Sequence, residues 1–324
     1  MDRPRALTQP VPRITAAVSA FATTFLPDTE RWCVALSGGP DSLALTAAAA
    51  LVLPTTALIV DHGLQAGSAQ VAETARRQAL ELGCVEAKVL AVQVGTAGGP
   101  ESAARTARYA ALDDARAGAP VLIGHTLDDQ AETVLLGLGR GSGPRSISGI
   151  RPHDPPWCRP LLQIRRAETE GACAELGVIA WRDPHNADPR FTRVRLRNEV
   201  LPLLEDVLGG GVAEALARTA AALQDDADVL DALADAALVQ ARTGDCLEIA
   251  VLTPLSAAVR RRVIRAWLLS GGAAALTDKQ IRAVELLVTG WRGQGGVAVA
   301  AGLVRQRLFA ERKRGVLALR RELV

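Results

Sequence analysis

The chain has 324 residues, of which 49% are hydrophobic and only 3% aromatic, and its formal net charge is +2. This length exceeds what one hydrophobic core usually serves, so we expect two domains, while the small net charge neither favours nor excludes a nucleic-acid partner. Five cysteines stand singly, and neither an 18-residue apolar stretch nor an apolar leader occurs, so we expect a soluble cytoplasmic protein without a zinc ribbon, a cysteine-ligated iron–sulfur cluster, a thioredoxin-like site or a membrane anchor.

Up to residue 138 the chain alternates strand-like and helix-like patterns. They predict a leading helix at 13–28, strands at 33–37, 57–61, 87–94 and 120–124, and helices at 42–52, 68–82, 101–117 and 128–138. Short apolar strands alternating with helices favour an α/β fold, with a doubly wound, mostly parallel sheet covered on both faces. Ligands of such sheets bind beyond the carboxyl ends of the strands, so the residues at those ends are the candidates for function.

The pattern changes after residue 138. A glycine- and serine-rich segment at 139–149 predicts a mobile loop, and helices at 165–177 and 193–207 complete a first domain, 1–208. Three consecutive glycines, 209–211, predict a hinge. The remainder, 209–324, reads as a second, mainly helical domain, with helices at 212–243, 254–270 and 277–290 and a hairpin-like alternation at 296–321.

The turn after the first strand carries the strongest signal. Ser37-Gly38-Gly39-Pro40-Asp41-Ser42 leads from a strand into a helix, which directs backbone N–H groups and the positive helix end at one point and suits a phosphate. Gly38 and Gly39 permit close approach of a ligand, and Pro40 fits the first helical turn. The Gly-Lys-Ser/Thr ending of the Walker loop is absent. The alternative is an ordinary turn between a core strand and a helix.

Two further strand ends carry polar side chains. Asp61-His62-Gly63-Leu64 follows the second strand, where an acid could meet a ribose hydroxyl or magnesium, although a polar strand terminus explains it too. In the segment 124–133, Asp129 and Glu132 share one face of the predicted helix. With His125 they are candidates for an acidic pocket beside the glycine turn. The alternative is a helix start that favours acids.

Arg105 and Arg108 lie one turn apart on a predicted helix. They could neutralise phosphates, but such pairs also occur on solvated helical faces.

Together these strings resemble the motifs of the tRNA(Ile)-lysidine synthetases, a family in the Rossmann-like PP-loop ATP pyrophosphatase superfamily. The resemblance covers about residues 30–205 and weakens to general helical character and a late strand pair beyond them. Gln65 stands where arginine is common. Further matching strings are Arg105-x-x-Arg108-Tyr109, Arg140-Gly141-Ser142-Gly143, Arg159-Pro160-Leu161-Leu162, Asp183-Pro184-His185-Asn186-Ala187-Asp188 and the run with Phe191, Arg193, Arg195 and Arg197.

The resemblance implies ATP-dependent ligation of free L-lysine to C2 of the wobble cytidine of tRNA(Ile) with a CAU anticodon, through an adenylated cytidine, with release of pyrophosphate and AMP. It implies ATP and Mg²⁺ as cofactors, and a homodimer stays open. The family's roles transfer to matching residues: catalysis to Asp41, Arg105, His125, Asp129 and Glu132, ATP binding to Ser37, Gly38, Gly39, Pro40, Asp41, Ser42, Asp61 and His62, and the magnesium contact to Asp41.

A tRNA substrate requires basic surface. Residues 140–200 contain eleven arginines against seven acids, and 303–322 contain seven basic residues against two acids. Arg260-Arg261-Arg262 and Arg265 add a further cluster. We expect the second domain to use such residues to bind tRNA, while a solvated arginine-rich face is the alternative for each group.

Three other functions share parts of this pattern. A PP-loop tRNA thiolation enzyme also adenylates a base but normally uses paired cysteines, which this chain lacks. A small-molecule amidating ligase, similar to GMP synthetase or NAD synthetase, needs no tRNA surface. A non-catalytic nucleotide-binding or RNA-chaperone protein would not need Asp41, Asp129 and Glu132.

Overall fold

The computed structural model describes residues 10–63, 67–95, 99–141, 143–183, 188–300 and 306–323. Leu64, Gln65, Ser142 and 184–187 of the motifs above lie outside the described residues. The chain forms two compact units, one reaching to Gly139 and including Gly149–Ala220, the other containing Arg140–Ser148 and the chain from Ala221 onward. These units differ from the predicted domains in the placement of the glycine-rich segment and in the boundary near residue 209. The roles expected for the two domains stay predictions.

A six-stranded sheet forms the first unit. Its strands are β1 (Trp32–Ala35), β2 (Thr55–Asp61), β3 (Glu86–Ala91), β4 (Val121–Ile123), β5 (His153–Asp154) and β6 (Trp157–Cys158). Their order is β3-β2-β1-β4-β6-β5, and every pair is parallel except β5 with β6. The predicted α/β fold with a mostly parallel sheet is confirmed. The sequence did not reveal β5 and β6, because two-residue strands are too short for a period-two pattern.

Helices cover both faces of this sheet. In chain order they are α1 (Pro10–Phe25), α2 (Pro40–Val52), α3 (Ser68–Glu81), α4 (Pro100–Ala115), α5 (Leu127–Arg140), α6 (Pro144–Ile147, in the second unit), α7 (Arg166–Glu175), α8 (Thr192–Arg195), a π-helical turn (Leu196–Val200) and α9 (Leu201–Val207). Val34 of β1 packs into the core that contains α1, α2, α3 and α7 residues, whereas its neighbour Cys33 packs with Leu112 of α4. Successive strand residues thus feed opposite faces, and α2 and α4 lie on opposite sides.

The second unit combines helices with an antiparallel sheet. Its elements follow α10 (Val212–Ala241), which begins in the first unit: β7 (Arg242–Thr243), β8 (Cys246–Glu248), α11 (Ile249–Leu252), α12 (Ala257–Ser270), α13 (Asp278–Thr289), β9 (Val297–Val299), β10 (Gln306–Lys313) and β11 (Val316–Leu323). The sheet order is β7-β8-β11-β10-β9, so the β element is larger than the predicted hairpin. Trp267 of α12 is 1% exposed in its core.

Segment 139–149, expected to be a loop, contains the short α6. Within it, Arg145 pairs with Asp231 of α10 at 2.5 Å, and Arg262 of α12 donates to the same carboxylate at 2.8 Å. Across the described residues, no helix is long and apolar enough to span a bilayer.

Candidate active site

The turn between β1 and α2 is held by its own serines. Ser37 N–H donates to Oγ of Ser42 at 3.2 Å, and that hydroxyl donates to the carbonyl of Gly39 at 2.9 Å. Gly38 has φ +82°, a left-handed conformation that favours glycine. Its carbonyl accepts a hydrogen bond from Trp181 N–H at 2.9 Å. A distant segment therefore fixes the turn from outside, which the sequence did not indicate.

Gly124, directly after β4, allows the next loop to lie against this turn. A Cβ at Gly124 would stand 3.1 Å from the carbonyl carbon and oxygen of Asp41 and from the amide nitrogen of Ser42. This is tighter than nearly all real Cβ contacts. Glycine is therefore needed for the close approach of the segment 124–133 to the start of α2.

Three carboxylates meet at this edge, and we call Asp41, Asp129 and Glu132 the acidic wall. One guanidinium, that of Arg166 at the start of α7, joins them. It lies 2.7 Å from Oδ1 of Asp129, 3.4 Å from Oε1 of Glu132 and 3.5 Å from Oδ2 of Asp41. The structure thus brings the predicted acids together beside the glycine turn, through a residue that sequence reasoning missed.

Two more arginines complete the wall at Glu132. Arg197, from the π-helical turn, donates to its two carboxylate oxygens at 2.8 and 3.2 Å, and Arg193 lies 3.6 Å away. The side chain of Glu132 has no solvent exposure. In this conformation Glu132 holds arginines rather than facing a ligand, whereas the role predicted for it was to orient a substrate.

Burial and pairing set the protonation of the wall. Burial raises the pKa of Asp41 to about 6, although the hydroxyl of Thr169, which donates to Oδ1, and the charge of Arg166 act to lower it. Burial also acts to raise the pKa of Asp129, but Arg166 and the N–H and hydroxyl of Thr126 hold it below its usual value. Asp129 is therefore ionised at neutral pH, while Asp41 titrates near it.

The predicted histidines lie at the same edge. Burial lowers the pKa of His125 to about 4 against the opposing effect of Asp129, and burial and Arg108 lower the pKa of His62. Both imidazoles are neutral at pH 7. Among the described residues, Nδ1 of each is buried without a hydrogen-bond partner, so both have unused capacity to bind a ligand.

Asp61 and Arg105 have local partners. Gly63 N–H donates to Oδ1 of Asp61 at 3.0 Å, and this bond and one from Ser68 lower the pKa of that carboxyl. Arg105 lies over the ring of Tyr109, 4.8 Å from its centroid, and donates to its hydroxyl at 3.2 Å. Arg105 makes no ion pair with the acidic wall among the described residues.

Asp41 suits magnesium by its chemistry. No group of three or more His, Cys, Asp or Glu that could hold a metal occurs in the described part of the chain. Mg²⁺ in nucleotide sites typically uses one or two carboxylates together with substrate phosphates. The single carboxylate of Asp41 at the phosphate turn fits this pattern.

Part of the basic surplus near the C-terminus is internally neutralised. Arg320 pairs with Glu311 and Glu322, and Arg312 lies 4.9 Å from the ring centroid of Trp291 and donates to the carbonyl of Leu287 at 3.0 Å. In contrast, Lys313 and Arg314 are exposed at the β10–β11 turn and have no acidic partner among the described residues.

Comparisons with known proteins agree with this geometry. A family model described as a PP-loop domain matches residues 11–204, and one described as a TilS substrate binding domain matches 247–312. In the solved U34-tRNA thiolase NcsA from Methanococcus maripaludis, described with its [4Fe-4S] cluster, the fold is similar with TM-score 0.53 at 18% identity, covering 67% of this chain and 80% of that one.

Curated relatives match almost the whole chain. The tRNA(Ile)-lysidine synthase of Mycolicibacterium paratuberculosis is 68% identical over 99% of both chains, and that of Mycobacterium tuberculosis 66% identical over 99% of both. The one from Rhodococcus erythropolis is 60% identical over 94% of this chain and 93% of its own. The resemblance stated from the sequence motifs is confirmed: the chain belongs to the tRNA(Ile)-lysidine synthase family.

Proposed function

We propose that this enzyme ligates free lysine to C2 of the wobble cytidine of tRNA(Ile) with a CAU anticodon, using ATP. The observation that carries the proposal is the shared contact of Arg166 with Asp41, at the phosphate turn, and with Asp129 of the acidic wall. A phosphate cradle and an amine-binding carboxylate therefore lie within the reach of one side chain. The curated relatives carry the name of this activity.

The reaction has two bond exchanges. The C2 carbonyl oxygen of cytidine attacks the α-phosphate of ATP, and the bond to pyrophosphate breaks. The lysine ε-amine then attacks C2, the C2–oxygen bond breaks, and AMP leaves with that oxygen. Both steps develop negative charge on phosphate oxygens, which oriented N–H groups stabilise.

The turn at 37–42 is assigned to the phosphates. Left-handed Gly38 and the start of α2 orient backbone N–H groups toward the edge of the sheet. Asp41 would hold Mg²⁺, which supplies charge neutralisation to phosphate oxygens when bound. Pairing with a divalent cation requires the ionised form of Asp41, which its pKa of about 6 provides at neutral pH.

The acidic wall is assigned to the amine. Asp129 is ionised and already accepts a cationic group from Arg166 at 2.7 Å, so it can accept the N–H groups of a lysine in the same way. Glu132 keeps Arg166 and Arg197 in place. His125, with a pKa of about 4, is a weak proton acceptor at pH 7, and we assign it to positioning.

The test is transfer of radiolabelled lysine. The purified protein is incubated with ATP, Mg²⁺ and tRNA(Ile) bearing CAU, and in parallel with the same tRNA carrying a different wobble base. We expect label only in the first RNA and AMP formed in equal amount. Label in both RNAs, or in neither while ATP is consumed, would contradict the proposal.

The thiolation alternative has a separate signature, which is mass spectrometry of the product nucleoside showing sulfur instead of lysine. Of the five cysteines, four are buried, at Cys33, Cys84, Cys158 and Cys173, and Cys246 is half-buried. None forms a pair with another, which disfavours sulfur relay. The cytoplasm is the proposed location, and the homodimer stays a prediction that light scattering tests.

A further inference from the structure

Three arginines gather at the edge of the sheet on the side that α4 covers, and we call Arg105, Arg108 and Arg159 the guanidinium cluster. Tyr109, on which Arg105 lies, meets the ring of Trp157 edge-on with centroids 4.7 Å apart. Trp157 belongs to β6, whose end leads directly into Arg159. The packing of α4 on β6 therefore brings the two helical arginines to the strand end that carries the third.

Arg159 is buried without a counterion. It is 7% exposed, and its one side-chain hydrogen bond printed by the geometry runs from Nη1 to the carbonyl of Arg151 at 2.9 Å. Its Nε has no partner, and no carboxylate lies at ion-pair distance, within the described ranges. Withdrawing a guanidinium from water without a compensating anion is costly. The residue is therefore set up for an anion that arrives from outside.

Neighbouring groups increase the positive character of this place. β4 and β6 pair in parallel with Leu122 opposite Cys158, so the segments that contain His125 and Arg159 leave adjacent strands. Besides burial, the three guanidiniums of the cluster each lower the pKa of His125 and so lie within electrostatic range of it. Burial and Arg105 also lower the pKa of Arg108. Asp129, the acid nearest in effect to His125, is already paired with Arg166.

We propose that Arg159, with Arg108 and Nδ1 of His125, forms a second phosphate-binding site at this edge, separate from the turn at 37–42. A guanidinium fits a phosphate with two parallel hydrogen bonds, and a neutral imidazole can donate a third. The turn belongs to α2, on the opposite face of the sheet from α4, so the two sites approach a substrate from two sides. The phosphate is a phosphodiester of the tRNA beside the target cytidine or a phosphate of the nucleotide; the first source rests on the proposed function.

The experiment measures binding without turnover. The full-length protein and its Arg159→Gln and Arg159→Lys variants are titrated with tRNA(Ile) by fluorescence anisotropy between 50 and 200 mM salt, and separately with ATP by calorimetry. If RNA supplies the phosphate, Arg159→Gln weakens tRNA binding about tenfold and reduces the salt slope by about one, while ATP affinity stays within about twofold. If the nucleotide supplies it, ATP affinity falls about tenfold instead. Arg159→Lys falls between.

The matched control is Arg76→Gln, which removes an exposed arginine already paired with Glu73 at 2.7 Å and is expected to change neither affinity. Arg108→Gln serves as the second variant, because it removes a less buried member of the same site. It is expected to weaken the same ligand about threefold or more, and it decides the matter where the thermal melting of Arg159→Gln shows misfolding.

Folded variants whose tRNA and ATP affinities both stay within about twofold of the parent would overturn the site. Because neither titration contains lysine, a protein that binds as expected but transfers no lysine would contradict the proposed function and leave the phosphate site standing.

Discussion

The acidic wall and the guanidinium cluster occupy the same edge of one sheet, yet their charges are satisfied to different degrees. In the wall, Asp129 and Glu132 each meet at least one arginine at 2.7 to 2.8 Å. In the cluster, Arg159 has no acidic partner among the described residues and an Nε without a hydrogen bond. The wall is thus neutralised by the protein itself, whereas the cluster depends on an anionic ligand.

This difference indicates how substrates meet the two regions. A cation or amine that enters the wall exchanges with a guanidinium that is already there, so the carboxylates are held in position beforehand. A phosphate that enters the cluster exchanges with nothing. Removing a wall residue should therefore break an existing network, while removing a cluster residue should change ligand affinity alone.

Asp129→Asn is the change with the largest expected effect. The neutral amide retains the shape but lacks the charge that pairs with Arg166 and would receive the amine, so we expect lysine transfer to fall at least about 100-fold while tRNA affinity stays close to that of the parent. Transfer is measured with labelled lysine and binding by anisotropy.

The control for this change is Asp113→Asn, which alters an exposed carboxylate paired with Arg116. Transfer at the parental rate in Asp129→Asn would remove Asp129 from the amine site and break the comparison at its first residue.

Gly124→Ala tests the close approach of the two segments that build the wall. Its Cβ would meet backbone atoms of Asp41 and Ser42 at 3.1 Å, so the start of α2 must shift. We expect the KM for ATP to rise about tenfold, since small misplacements of positioning groups are costly. Gly139→Ala, also in α5 but facing open space, should leave KM unchanged, and equal effects of both changes would refute the argument.

The pH dependence tests the pairing of Asp41 with Arg166. With a pKa of about 6 for Asp41, the rate of lysine transfer should fall as the pH drops through about 6, because protonated Asp41 cannot pair with a cation. Arg166→Gln removes a charge that lowers this pKa, so its acid limb should move to higher pH. Arg166→Lys keeps the charge and should move the limb less.

Loss of folding does not mimic this result through Asp41. Its pKa is raised above the ordinary value of 3.8 in the folded protein, so its contribution to stability is present at low pH and is lost as the pH rises through about 6. A pH profile of Arg166→Gln identical to that of the parent would show that the limb belongs to another group.

The smallest effect is expected in the second unit. Lys313→Gln combined with Arg314→Gln removes two exposed charges without acidic partners in the described residues, and we expect tRNA affinity to fall about threefold with a shallower salt slope. Arg320→Gln removes a charge that Glu311 and Glu322 already neutralise and should not weaken binding. The reverse ranking, obtained in the same anisotropy assay, would overturn this assignment of basic surface.

Sequence reasoning succeeded where neighbouring residues decide the structure. The strand, glycine turn and helix from Trp32 to Val52 follow from a short apolar run, two glycines and a proline at the first helical turn. It was incomplete for β5 and β6, which are too short for a periodic pattern, and for the second sheet, in which β8 pairs with the distant β11. The shared face of Asp129 and Glu132 was predictable, but their partners were not.

By itself the sequence determined the α/β fold, the phosphate turn, the acids of one helix face and the family. Only the tertiary structure decided which charges meet, because Arg166 lies 125 positions from Asp41 and 37 from Asp129 along the chain. It also decided which charge is left alone: Arg159 has the same side chain as the arginines of the wall, but the packing of α4 and β6 leaves it without an acid among the described residues. Local hydrogen bonding and periodicity are encoded within a few residues, whereas the compensation of a buried charge depends on segments that only folding brings together.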